Sequence, residues 1–83
     1  MGSKGGIVAK PVELYTTAGC PYSDAAREDL EWRRVDFVEH DVEQDPEARE
    51  HMLEITGGNR IVPVIVEEGK PAQVGWMGQG CFI

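Results

Sequence analysis

Two cysteines, Cys20 and Cys81, are the residues of this 83-residue chain best suited to chemistry. Cys20 stands in Thr17-Ala18-Gly19-Cys20-Pro21-Tyr22-Ser23, where an extended run hands over to a helical one. Pro21 suits the first helical position because its φ is already fixed near the helical value. A thiol just before it meets unpaired backbone N–H groups and the positive end of the helix dipole. Both favour an anion, so the thiol pKa falls, and the thiolate is the nucleophile. The competing reading is an inert buried cysteine, yet a core cysteine seldom sits between glycine and proline at such a turn. Cys81 belongs to Gly78-Gln79-Gly80-Cys81-Phe82-Ile83, a glycine-rich stretch expected to be a flexible tail. It reads either as a second working thiol or as a chance cysteine in a frayed terminus. His40 and His51 are lone histidines without a second ligand at metal spacing, so solvated surface residues are expected and no metal site is. The carboxylates between Glu39 and Glu54 are scattered, with no pair poised for acid–base work.

Those thiols need elements to place them. Val12, Leu14 and Thr16 alternate within 7–16, which predicts a first strand. A helix is expected over 21–34, with Tyr22, Ala25, Ala26 and Leu30 as its apolar stripe. Residues 35–40 read as a second strand. Asp45-Pro46-Glu47 is a helix start with an N-cap carboxylate, a proline and an acid in the first turn. Ala48, Met52 and Ile55 form the expected buried face of that helix, and Gly57-Gly58 its end. Residues 61–66 are a near-continuous apolar strand, suited to cover on both sides, and 72–75 an edge strand after a turn at 68–70. The order is β-α-β-α-β-β: one α/β domain over 7–83 with a glycine-rich tail at 76–83. Residues 1–6 are expected to be leader or tag.

Composition narrows the function classes. An apolar share of 41% fits a compact domain near the lower size limit for a self-sufficient core. The formal charge of −7 argues against nucleic acid, which needs a basic surface. No apolar run approaches the ~20 residues that cross a bilayer, so no membrane partner is expected. Two cysteines without a secretion signal fit a reducing cytoplasmic setting in which thiols are catalytic rather than structural.

The loop Cys20-Pro21-Tyr22-Ser23 resembles the active-site loop of glutaredoxins, in a one-cysteine form with serine at the last place. Gly58-Asn59-Arg60-Ile61-Val62-Pro63 is similar to that family's segment in which an arginine precedes a Thr-Val-Pro tripeptide. Gly69-Lys70 and Val74-Gly75 resemble its final hairpin and the start of its glycine loop. The resemblance spans 11–75 and implies a minimal thioredoxin/glutaredoxin fold with a four-stranded mixed sheet that lacks the last helix. It implies a cis bond before Pro63 beside the reactive sulfur, with the backbone of Val62 exposed for pairing with an extended thiol peptide. It further implies a groove shaped by Pro21, Tyr22 and Gly75, and Arg60 as the partner of a glutathione carboxylate. Ser23 takes the place of the second cysteine and cannot resolve a mixed disulfide. The chain departs from the family at Ala18, where a lysine is frequent, and at Gly75-Trp76-Met77-Gly78, where an acidic pair is usual.

The implied activity is thiol–disulfide exchange: Cys20 attacks a protein disulfide or a glutathione mixed disulfide. No tightly bound cofactor is implied, and glutathione is the co-substrate. In the family fold the loop after the last strand lies beside the reactive cysteine. The tail from Gly75 to Cys81 can span the gap at ~3.3–3.6 Å per residue. Cys81 is then a resolving thiol in an intramolecular bond to Cys20; an intermolecular bond and a solvent-exposed Cys81 are the alternatives. Two other functions fit the same residues: a [2Fe–2S] cluster module, as in some one-cysteine glutaredoxins, and a non-catalytic adaptor.

Overall fold

The computed structural model describes residues 11–83; the expected leader 1–6 and the start of the expected first strand lie outside the described residues. The elements in chain order are β1 (Val12–Thr16), α1 (Pro21–Trp32), β2 (Phe37–Asp41), α2 (Pro46–Thr56), β3 (Ile61–Val62), β4 (Val64–Val66), β5 (Gln73–Val74) and β6 (Cys81–Phe82). Four of the strands form one mixed sheet in the order β2-β1-β4-β5. Within it β1 runs parallel to β2, from Val12 opposite Phe37 to Thr16 opposite Asp41. It runs antiparallel to β4, with Leu14 opposite Ile65, and β4 is antiparallel to β5.

Successive side chains on a strand point to opposite faces, and β1 uses both. Val12 and Leu14 pack with Ile65 against Ala26 and Leu30 of α1. Tyr15 packs with Val64 against Ala48 and Met52 of α2. The helices therefore lie on opposite faces of the sheet. Full burial of Leu14, Leu30 and Met52 contributes about 1.5–3 kcal/mol each.

One helix boundary differs from expectation for a local reason. α1 stops at Trp32, short of Arg34, because Arg34 adopts φ 57. Val35 N–H then donates to the Leu30 carbonyl at 3.0 Å and Arg34 N–H to that of Glu31 at 3.0 Å. That is the Schellman termination, built on a residue with a Cβ. α2 ends the same way at Gly57, as its glycines foretold, with Gly58 N–H on the Leu53 carbonyl at 2.7 Å. Its start also follows expectation: the Asp45 carboxylate accepts from the N–H groups of Glu47 and Ala48. Ile55, expected in the core, is 37% exposed; Ala48 and Met52, with the partly buried Leu53, are the α2 residues packed on the core. Ser23 is the reverse case, a polar residue of α1 that is fully buried.

The largest correction concerns the C-terminal stretch. The expected flexible tail is a hairpin followed by a strand. Pro63 splits the expected strand 61–66 into β3 and β4, and β6 pairs antiparallel with β3 in a second, two-stranded sheet.

Arg34 is the residue most at odds with its backbone, since a left-handed conformation costs a side-chain-bearing residue ~1–2 kcal/mol. Arg34→Gly is expected to raise the free energy of unfolding by about 1 kcal/mol once the extra unfolded-state freedom of glycine is subtracted. Urea unfolding of the oxidised protein checks it.

Candidate active site

Cys20 is the N-cap of α1, with extended backbone at φ −92° and ψ 115°. Its carbonyl accepts from Asp24 N–H at 3.0 Å, closing the first helical turn. Two facts force it there: β1 ends at Thr16, and Pro21 begins the helix. The side chain is buried, 1% exposed, among Tyr15, Val42, Met52 and Val62. It is bonded to Cys81 across 61 residues of sequence, with the two Cα atoms 6.1 Å apart.

The segment that carries Cys81 is fixed at several points. Gly75 N–H donates to the carbonyl of Pro63 at 2.7 Å, tying the start of the hairpin to the residue after the cis Val62–Pro63 bond. Trp76 and Gln79 exchange backbone hydrogen bonds at 2.6 and 3.0 Å. Between them Met77 and Gly78 both have positive φ, 52° and 82°. Positive φ at both central residues is the hallmark of the type I′ turn, whose twist matches that of the flanking strands. Past the turn, Cys81 lies opposite Val62 and Phe82 opposite Ile61, and Ile83 N–H reaches the carbonyl of Arg60 at 2.9 Å. The Val62 edge, expected to be open for a thiol peptide, is thus covered by the chain's own β6. Close approach makes Gly80 necessary: a Cβ there would fall 2.5 Å from both the Val62 carbonyl oxygen and Ile61 Cγ2.

The fold brings Cys20, Val62, Pro63, Gly75 and Cys81 together, and Tyr22 joins them through its phenol. The Tyr22 hydroxyl donates to Gln79 Oε1 at 2.5 Å, a clasp between α1 and the hairpin. Pro21 is exposed at the first helical position. Ser23 is completely buried and its Oγ has no hydrogen-bond partner. Arg60 stands apart: its backbone receives Ile83, while its side chain is exposed. Gln79 was not singled out from the sequence, and only its place beside a turn glycine could have marked it.

The neighbouring polar groups are committed to structure. Arg27 holds Glu39 through two parallel bonds, Nε to Oε1 at 2.8 Å and Nη2 to Oε2 at 3.0 Å. Thr16 Oγ1 adds a third at 2.8 Å. The Arg27 hydrogen bonds draw the Glu39 carboxyl below its usual range, against the opposing effect of burial. Burial first, and then nearby Glu13, pushes the Tyr15 phenol well above its ordinary value, so it stays protonated at neutral pH. His40 is not simply solvated: it stacks on Tyr15 with ring centroids 4.9 Å apart and lies 3.1 Å from Glu13 Oε1. Among the described residues no group of histidine, cysteine and acidic side chains has the arrangement of a metal site.

Comparison with known proteins bears directly on this geometry. The family model of glutaredoxin matches residues 12–71. The chain belongs to the glutaredoxin family. A probable glutaredoxin of Synechocystis is 42% identical over 60 residues, which cover 72% of this chain and 54% of that protein. Mycoredoxin 1 of Corynebacterium glutamicum is 39% identical over 54 residues, 65% of this chain and 66% of that one. The chain therefore spans between about half and two thirds of the length of these relatives. Among solved structures, the glutaredoxin-like protein NrdH-redoxin from Escherichia coli, described with a thioredoxin-like activity profile, superposes with a TM-score of 0.70. It shares 27% identity, with 81% of this chain and 84% of that chain covered. A glutaredoxin from Archaeoglobus fulgidus gives a TM-score of 0.69 at 27% identity, covering 83% and 77%. The minimal thioredoxin/glutaredoxin architecture expected from the sequence is thus the fold of this glutaredoxin-family chain.

Two substitutions test how the tail is held. Met77→Asn places a residue at ease with positive φ in the turn and is expected to make the Cys20–Cys81 bond harder to reduce by about threefold to tenfold in a dithiothreitol titration. Gly80→Ala introduces a backbone clash of the kind that costs ~1–3 kcal/mol, so the same titration is expected to shift about tenfold or more the other way. Equal midpoints for the two variants and the parent would mean that the hairpin does not hold Cys81.

Proposed function

We propose that this glutaredoxin-family chain is a thiol–disulfide oxidoreductase in which Cys20 is the nucleophile and Cys81 the resolving thiol. One observation carries the reading: the cysteine at the N-terminus of α1 is bonded to a cysteine on a strand laid along Val62. The reduced Cys20 sulfur belongs to the N-cap residue of α1, where the first N–H groups and the dipole favour the thiolate. That thiolate attacks a disulfide of a protein, or of glutathione joined to a protein. One thiolate of the substrate leaves, and the other sulfur remains joined to Cys20. Ser23 cannot release it. The Cys81 thiolate then attacks the Cys20 sulfur, the second substrate thiolate departs, and the Cys20–Cys81 disulfide remains. Two electrons have passed from the cysteine pair to the substrate, and two glutathione molecules or one dithiol restore the pair by the reverse exchange.

Glutathione as reductant fits the exposed Arg60 guanidinium at the start of β3, whose planar fork suits a carboxylate. The Val62 edge is engaged by Cys81 in the oxidised form, so a thiol peptide takes that edge once the tail has been released. A cytoplasmic setting fits a pair that must be re-reduced by a thiol pool.

In the Cys81→Ser variant, the alkylation rate of Cys20 with iodoacetamide against pH is expected to give a pKa below the ~8.5 of a free cysteine. Cys20→Ser is expected to abolish disulfide reduction. Cys81→Ser is expected to form the first mixed disulfide normally and then stall unless glutathione is added, which mass spectrometry of the trapped species shows directly. Full multiple-turnover activity of Cys81→Ser with a reductant that cannot resolve the mixed disulfide would remove the resolving role.

A further inference from the structure

The tail is held as an incoming peptide would be, and the way it is held selects among peptides. Cys81 and Ile83 face inward, Cys81 toward Cys20 and Ile83 against the cluster that contains Tyr15 and Val62. Phe82, between them, is 79% exposed, as strand alternation requires. The residue before the cysteine has no room for a side chain: a Cβ at Gly80 meets the Val62 carbonyl oxygen at 2.5 Å. That carbonyl belongs to a strand residue that is fully buried. Backbone packed in this way cannot yield as the end of a flexible side chain does.

We infer that the β3 edge is a sequence-selective substrate site that takes, from other molecules, disulfides whose cysteine lies in an extended segment of the order glycine, cysteine, any residue, aliphatic residue. The inference rests on the oxidoreductase reading above and names the substrate class of that same site. Glycine is demanded just before the cysteine by the Val62 carbonyl and Ile61. The position after it is unrestricted, because it points to solvent. The second position after it gains contact with the core cluster, as Ile83 does. Three register points set this alignment: Val62 with the cysteine, Ile61 with the next residue, and the Arg60 carbonyl with the N–H of the one after. The chain's own tail is then a substrate in cis. A substrate must displace it, which links specificity to the return of Cys81 in the resolving step.

The experiment uses the full-length Cys81→Ser protein and short peptides whose cysteine carries a thionitrobenzoate in disulfide linkage. The Cys20 thiolate attacks the peptide sulfur, the peptide becomes joined to Cys20, and the coloured thionitrobenzoate thiolate is released. One peptide has the order Gly-Cys-Ser-Ile, a second Ala-Cys-Ser-Ile and a third Gly-Cys-Ser-Ser. Each rate is divided by that with a small free thiol, which removes intrinsic differences in reactivity. Any residual occupancy of the edge by the tail affects all three equally and cancels in the ratios. The glycine peptide is expected to react about tenfold or more faster than the alanine peptide, matching the scale of a steric clash in a packed site. Loss of the isoleucine is expected to slow the reaction several-fold. Equal normalised rates, all above those of the Cys20→Ser/Cys81→Ser double variant, would overturn the selectivity while leaving the oxidoreductase reading standing. Rates no higher than the double variant for every peptide would overturn both.

Discussion

The site depends on β1 being paired along both edges and covered on both faces. That strand is parallel to β2, antiparallel to β4, and buries Leu14 toward α1 and Tyr15 toward α2. A strand so enclosed cannot slip by one residue, because slipping would swap its two apolar sets between faces. Its C-terminal end is therefore a fixed point, and the turn of four residues from Thr17 to Cys20 hands that fixity to the N-terminus of α1. The Cys20 sulfur inherits its position from the core rather than from the loop around it. Polar side chains reinforce the same end: Thr16 and Thr17, both buried, donate to Glu39 and Glu43, which follow from β2.

The tail is fixed differently. It has only the backbone pairing of β6 with β3, a two-residue turn, the Tyr22–Gln79 clasp and the disulfide itself. A two-stranded ribbon is marginal alone in water, and here both members are two residues long. The contrast suits the chemistry. A nucleophile must be held in one place through every step, whereas a resolving thiol has to leave while the substrate is attached and then return. Strong local attachment at Cys20 and weak, multiple attachment at Cys81 match the roles proposed for the two thiols.

Most of the core and half of the site were legible in the sequence. The alternation in β1, the Asp45-Pro46 start of α2 and the Gly57-Gly58 end carry strong local signals, and the structure uses each. Cys20 was legible because glycine and proline flank it at a change of period. Arg34 was not, because a left-handed cap on an arginine has no compositional mark. Ile55 misled for a related reason: helical spacing names a face without saying how wide the contact is, and Ile55 falls outside it here. β6 was missed because two residues, Cys81 and Phe82, are too few to show a period of two. Glycines that read as flexibility proved to be steric requirements, Gly78 for a turn and Gly80 for contact with β3. Composition registers that a glycine is present; only the partner strand tells what it is for.

The Cys20–Cys81 bond also has a structural weight that its chemistry must work against. Closing a loop across a sequence separation of 61 removes unfolded-state entropy worth about 4 kcal/mol in the chain-entropy account. For a domain of this size, total stability is of order 5–15 kcal/mol, so the bond is a large part of what keeps the oxidised protein folded. Linkage makes this reciprocal: whatever the disulfide adds to folding, folding adds to the disulfide. A bond favoured so strongly by the fold would be a poor electron acceptor and a poor thing to reduce each cycle. The opposing terms lie at its two ends. On one side, reduction frees a Cys20 thiolate at a helix N-terminus, where that anion is favoured. On the other, the closed state holds Met77 at positive φ in the turn that carries Cys81. In the proposed exchange both terms oppose part of the loop-closure gain, and both lie close to the sulfurs rather than in the scaffold.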